Sequence, residues 1–139
     1  MRQFHHTLHL STHGRGMHEF TDQVKLWVGK SGIQHGLLTL FVQHTSAALL
    51  IQENADPAVQ RDLERFFARL VPDGSPMFEH AHEGTDDMPA HVRAALTPTS
   101  LGIPVRNGEP ALGSWQGIYL YEYKLRPGQR TVLLHLIGE

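Results

Sequence analysis

Between Glu79 and His91 the chain reads EHAHEGTDDMPAH, with three histidines, two glutamates and two aspartates inside thirteen residues. Imidazole and carboxylate are the ordinary ligands of first-row metal ions, and near neutral pH they are also the ordinary proton-transfer groups. Gly84 and Pro89 punctuate the stretch, so its backbone is shaped rather than merely extended. It is the leading candidate for part of an active or binding site. No HExxH or comparable motif lies within it, so a ligand set must be completed from elsewhere in the chain.

His44 is the first such candidate. It follows an apolar strand and precedes two hydroxyl residues, in Gln43-His44-Thr45-Ser46. Strand ends of this kind carry ligands and general bases, while the plainer alternative is a turn whose hydroxyls satisfy backbone groups. His80 and His91 flank the acidic turn and, with His44, would converge on one metal ion or one phosphate. Neutral rings suit the metal and protonated rings the phosphate. His82 reads as solvated. Glu83, Asp86 and Asp87 are expected to divide between capping the next helix and holding an imidazole in its tautomer.

Asp56, directly before Pro57, reads as a helix cap. Glu53 and Asn54 have no such structural reason and are candidates for a general base or a magnesium ligand. Trp115 would stack on a flat heterocycle while Gln116 reads its polar edge; the alternative is a core or interface tryptophan. Arg126 and Arg130 flank Pro127-Gly128 and would reach a phosphate, or else stay solvated. His5, His6, His9, His13, His18, His35 and His135 receive no role.

The elements that must position these groups follow from periodicity. Phe4 to Ser11 alternates as a strand, and a helix is expected from about Thr21, ended by Gly29 and Gly32. Gly36 to Val42 is apolar on both faces, as in a strand buried inside a sandwich or beneath helices. Ala47 to Ile51 reads as a strand. Asp56-Pro57 opens the clearest helix, stopped at Pro72-Asp73-Gly74, and a shorter one is expected from Pro89 to about Leu96. Strands follow at Leu101–Val105, Gly117–Tyr123 and Thr131–Ile137, with Asn107-Gly108 as a strong turn. The pattern is a single α+β domain, mostly antiparallel and sandwich-like, with two or three inserted helices.

Composition narrows the function classes. The chain of 139 residues is one domain in size, 40% hydrophobic and 19% charged. A formal charge of −2 gives no electrostatic footprint for nucleic acid. Without cysteine there is neither a disulfide framework nor a zinc–thiolate site. No signal region opens the sequence and no apolar run approaches a membrane span, so a cytoplasmic protein without membrane partners is expected.

QHTSAALLIQENADP, DLERFF, VPD, FEHAHEGTDDMPAHV, TSLGIPV and GSWQGIYLYE stand here in the order found in the YjbQ family, which the chain therefore resembles over nearly its whole length. That family is described as a secondary thiamine-phosphate synthase. Its GTWQ is Gly113-Ser114-Trp115-Gln116 here, and its ENCDP is Glu53-Asn54-Ala55-Asp56-Pro57, without the thiol. The resemblance implies a β-rich sandwich-like fold, a homotrimer, and polar motif residues gathered around a cleft, within a subunit or at subunit boundaries. It implies an enzyme on a small phosphorylated metabolite, joining a pyrimidine-methyl pyrophosphate to a thiazole phosphate. Catalytic roles would fall to His44, Glu53, Asn54, His91 and Gln116, and substrate binding to Thr45, Ser46, Trp115 and Arg126. A divalent ion, magnesium or zinc, would sit on His44, His80 and His91. The alternatives are a non-catalytic metal- or metabolite-binding protein and a metal-dependent phosphate-ester hydrolase.

Overall fold

Alternating apolar residues build two sheets, and helical spacing supplies a third layer. In the computed structural model, which describes residues 1–139, the chain runs β1 (Arg2–Thr12), β2 (Gly16–Glu19), α1 (Thr21–Ser31), β3 (His35–Val42), β4 (Ala47–Glu53) and α2 (Pro57–Leu70). It continues through α3 (Asp87–Leu96), β5 (Ser100–Arg106), β6 (Glu109–Pro110), β7 (Gln116–Glu122) and β8 (Gly128–Gly138). All strand pairings are antiparallel. One sheet has the order β1-β8-β3-β5-β6 and the other β2-β7-β4. Asn107 and Gly108, with φ of 54° and 78°, turn β5 into β6 as the Asn-Gly pair predicts.

Leu38, Leu40, Leu134 and Leu136 of the larger sheet meet Leu49, Ile118 and Leu120 of the smaller one, with Val24 and Val28 of α1 closing the same core. The other face of the smaller sheet carries Tyr121 and Tyr123 against Ala90 and Ala94 of α3 and Phe67 of α2. The layers are sheet, sheet, helices: an α+β domain with three helices. No helix is long and apolar enough to cross a membrane.

One expectation about β3 needs correcting. Its apolar residues suggest burial on both faces, yet only Leu38, Leu40 and Val42 point into the core. Leu37 and Phe41, on the other face, are 48% and 45% exposed. No element of the chain covers that side of the larger sheet, so an apolar sequence here does not mean a covered strand.

α2 begins as expected. Asp56 accepts a hydrogen bond from the Ala58 amide at 2.9 Å, with Pro57 first in the helix. Asp56→Ala is expected to cost about 1 kcal/mol, lowering the thermal midpoint by roughly 3–5 °C in a melt followed by circular dichroism. α3 is tied to α2 by Arg93, which is fully buried and donates to both oxygens of Glu64 at 2.8 and 3.2 Å. The Tyr121 hydroxyl donates to the same carboxylate at 2.7 Å. This clamp fixes the helix that presents Asp87 and His91.

Candidate metal centre

α3 starts two residues before Pro89, at Asp87. Proline fits within a first turn because the amides there have no partner in the helix. The earlier start places Asp87 and His91 four residues apart on one helix face. His91 Nε2 lies 3.2 Å from Asp87 Oδ2, and His80 Nε2, from the preceding loop, lies 2.7 Å from the same oxygen. That loop is held where the Gly74 amide donates to the Thr85 carbonyl at 2.9 Å. Glu83 stands 3.5 Å from His80 Nε2. One ligand atom from each of His80, Asp87 and His91 lies within 4.8 Å of the others.

Hydrogen-bond chemistry sets the state of this group. His91 Nδ1 is 3.2 Å from the Thr45 carbonyl, which can only accept, so Nδ1 carries a proton. In the neutral ring, Nε2 then aims a lone pair at the Asp87 carboxylate. Two lone pairs facing each other at 3.2 Å call for a cation between them, either a proton or a metal ion. Two ligands sharing one zinc ion stand about 3.3 Å apart when each bond is near 2.0 Å, which the His91–Asp87 pair matches, while His80 lies closer to the same oxygen, at 2.7 Å. The Thr45 carbonyl orients the ring from behind, the usual arrangement for a ligating histidine.

The surrounding charges keep Asp87 ionised. Burial alone would raise its pKa, but hydrogen bonds from Lys124 and His80 hold it far below the usual carboxylate range. Lys124 Nζ reaches Asp87 Oδ1 at 2.9 Å and Asp86 Oδ1 at 3.4 Å. Burial works against the ammonium, yet these two carboxylates raise its pKa. Asp86 Oδ2 also accepts from the Leu125 amide at 2.8 Å, pinning the β7–β8 turn to the start of α3. Asp86 is thus a brace rather than a side-chain cap, since it makes no capping bond to the helix. A cavity of about 220 Å³ opens beside His80, lined among others by Phe78, Thr85 and Met88.

His44 does not join this group. Its Nε2 accepts from the Thr131 amide at 2.8 Å, and its Nδ1 lies 3.2 Å from Arg130 Nη1. Asp87 takes the place expected for His44 beside His80 and His91. Thr45 is exposed and contributes its carbonyl. The Ser46 carbonyl accepts from the Tyr123 amide at 3.2 Å. Arg126 is exposed in the turn two residues beyond Lys124, at the same end of the molecule.

The remaining candidates lie elsewhere in the protomer, so a single chain does not bring them together with His80 and His91. Glu53, Asn54, Trp115 and Gln116 gather at the far end of β4. The Asn54 amide donates to the Trp115 carbonyl at 3.0 Å, and Glu53 pairs with Gln116 across the strands. Between Ala47 and Glu53 the strand covers about 20 Å at roughly 3.3 Å per residue. Asn54 Nδ2 donates to Glu19 at 3.1 Å, and Gln116 Oε1 accepts from the Gly113 amide at 2.7 Å. Gln116 therefore holds its own turn, leaving Trp115 66% exposed.

Lys124, Thr12 and Glu122 were not legible as site residues, whereas Arg130 was named in the sequence as a phosphate contact. For Asp87 a signal exists in its i,i+4 spacing to His91, once the helix start is placed correctly.

The sequence matches the family described as "UPF0047 protein YjbQ-like" over residues 6–139. A UPF0047 protein of Synechocystis is 51% identical over 99% of this chain and 94% of its own length. The UPF0047 protein YjbQ of Escherichia coli O157:H7 is 45% identical over 96% of each chain. Among solved structures, a YbjQ-like protein of unknown function from Sulfolobus solfataricus P2 superposes with a TM-score of 0.90 at 25% identity, covering 99% of both chains. A YjbQ/UPF0047 family protein from Clostridium acetobutylicum gives 0.83 at 34% identity, covering 96% of this chain and 99% of its own.

Proposed function

We propose, for a chain that belongs to the UPF0047 family of YjbQ-like proteins, that it is a zinc-dependent enzyme acting on a phosphorylated metabolite. The observation that carries this reading is the placement of His91 Nε2 and His80 Nε2 at 3.2 and 2.7 Å from one oxygen of Asp87, with the Thr45 carbonyl behind the His91 ring. Two imidazoles and one carboxylate suit zinc better than magnesium, which takes oxygen ligands and keeps its water. Three protein ligands leave positions open for substrate oxygen, where the ion would polarise a phosphoryl group. Within the chain, Asp87 supplies the anionic ligand, Lys124 balances its charge, and Thr45 orients His91.

Thiamine-phosphate formation, with pyrophosphate leaving, is the specific form that the family resemblance supports. Hydrolysis of a single phosphate ester is the second reading. The small cavity beside His80 favours it, being below the roughly 300 Å³ at which ligand sites begin. A homotrimer belongs to the same proposal, with the uncovered face around Leu37 and Phe41 as a surface for subunits.

The test is product release from the two thiamine precursors, together and singly, and from a panel of phosphate esters, with zinc and with a chelator. Turnover is expected to need the metal and to fall about 100-fold or more in His91→Ala. A requirement for both precursors selects the synthase reading, and release from one ester selects the hydrolase. Equal rates for His91→Ala and the parent would remove this centre from the chemistry. Bound zinc with no turnover on any substrate would leave a metal-binding protein.

A further inference from the structure

The hydrogen-bond account around His44 does not close with protein atoms alone. The Thr131 backbone amide can only donate, and it reaches His44 Nε2 at 2.8 Å. Nε2 is therefore the acceptor, and in the neutral ring the proton sits on Nδ1. Burial first, and the Arg130 charge second, push the His44 pKa below its ordinary value, which keeps the ring neutral. The atom 3.2 Å from Nδ1 is Arg130 Nη1, another donor. An imidazole accepting at both nitrogens would have to be an anion, so this contact is two donors side by side.

Arg130 has no alternative use for that prong. Its Nε donates to Glu122 Oε1 at 2.8 Å, and its Nη2 is taken by Glu122 Oε2 and the Ser46 carbonyl. Glu122 is itself buried and held by the Thr12 hydroxyl at 2.8 Å and the Lys124 amide at 3.2 Å. The guanidinium is thus locked from one side, with Nη1 directed at His44. The arginine side chain is only 11% exposed, so its charge is poorly screened there. His44 in turn lines an open cleft of about 560 Å³ together with Gln43, Thr45, Ser46 and Thr99, three of them hydroxyl residues.

We propose that His44 Nδ1–H and Arg130 Nη1–H together bind one oxygen of a phosphate group whose remaining oxygens face the hydroxyl-lined cleft. The pair is built for an anion, since each donor is fixed by a protein contact behind it and lacks an acceptor in front. The site lies one residue from Thr45, whose carbonyl orients His91. It therefore deepens the reading of a phosphorylated substrate, giving the phosphate a place one residue along the chain from the carbonyl that orients His91, and the phosphate contact itself needs no metal. His44 then serves as a neutral hydrogen-bond donor to substrate rather than as a base or ligand.

Metal-free protein is titrated with inorganic phosphate, and in parallel with acetate, by calorimetry and by two-bond proton–nitrogen spectra of the imidazoles. The expected result is a saturable 1:1 phosphate isotherm, with a proton on His44 Nδ1 before ligand and a shift of that resonance on binding. His44→Phe keeps a ring without the donor, and Arg130→Lys keeps a cation for Glu122 without the second prong. Each is expected to weaken phosphate binding by about tenfold or more, the loss of one charge-assisted hydrogen bond. Acetate binding with the same dependence on both residues supports the pair as a reader of oxyanions generally. Binding that survives both substitutions, or no binding of either anion, overturns the proposal and leaves a water between the donors. No metal and no turnover enter the measurement, so its failure and that of the zinc reading are told apart.

Discussion

Glu122→Ala is expected to destabilise the protein by about 3–5 kcal/mol, the range for breaking a buried ion pair by removing one partner. Glu122 is 1% exposed and takes hydrogen bonds from Thr12, Arg130 and the Lys124 amide. It sits where β1, β7 and β8 come together, so its removal strands the Arg130 guanidinium and opens the end of the core between the sheets. The thermal midpoint should fall by roughly 10–20 °C. The pH dependence has a definite sign. Burial alone would raise the carboxyl, but the bonds from Arg130, Thr12 and the Lys124 amide prevail and lower its pKa from 4.5. The folded state then binds this proton less readily than the unfolded one. The stabilisation is complete above about pH 4.5 and fades as pH falls towards the lower folded value. Urea midpoints measured from pH 7 down to pH 3 should show this loss in the parent and a flatter profile in Glu122→Gln. Equal profiles would mean that the carboxylate gives no net stability.

Asp87→Ala should reduce zinc affinity by about 100-fold or more, a larger loss than that from the weaker brace at Asp86. The change removes the only anionic ligand of the three, and it releases Lys124 Nζ from its 2.9 Å contact close to two imidazoles. Asp87→Asn keeps the size and one oxygen but not the charge, and should fall between parent and alanine. Competition against a chromophoric chelator gives the affinities, and elemental analysis gives the stoichiometry. The parent should also gain about 2.7 kcal/mol of stability with free zinc at a hundred times Kd, and Asp87→Ala should gain almost none. One equivalent of zinc held by Asp87→Ala with unchanged affinity would place the metal elsewhere.

Local features were read from the sequence with little loss. Asp56-Pro57 fixes the start of α2 and Asn107-Gly108 the turn into β6, because each acts through its own backbone. Longer-range features were not available in the same way. His44 and Asn54 lie ten positions apart in one apparently continuous polar-flanked motif, but the strand between them separates the two ends of the molecule. The residues of β3 report that they are apolar and not whether anything lies over them, so Leu37 and Phe41 look as buried as Leu38 and Leu40. His44 shows a further limit: its use is set by the Thr131 amide, which arrives from a strand 87 residues away. Asp87 was concealed by a two-residue uncertainty in where α3 begins, and that shift decides whether it is a cap or a ligand.

The strand made last lies in the interior of its sheet, with β8 between β1 and β3. Until residues 128–138 leave the ribosome, the finished β1 has no neighbour and β3 can pair only with β5. At elongation speeds of 5–20 residues per second, β1 waits roughly 6–25 s for its partner. During translation the nascent chain therefore exposes unpaired strand edges that can join wrongly with other chains, and chaperone dependence should concentrate in that interval.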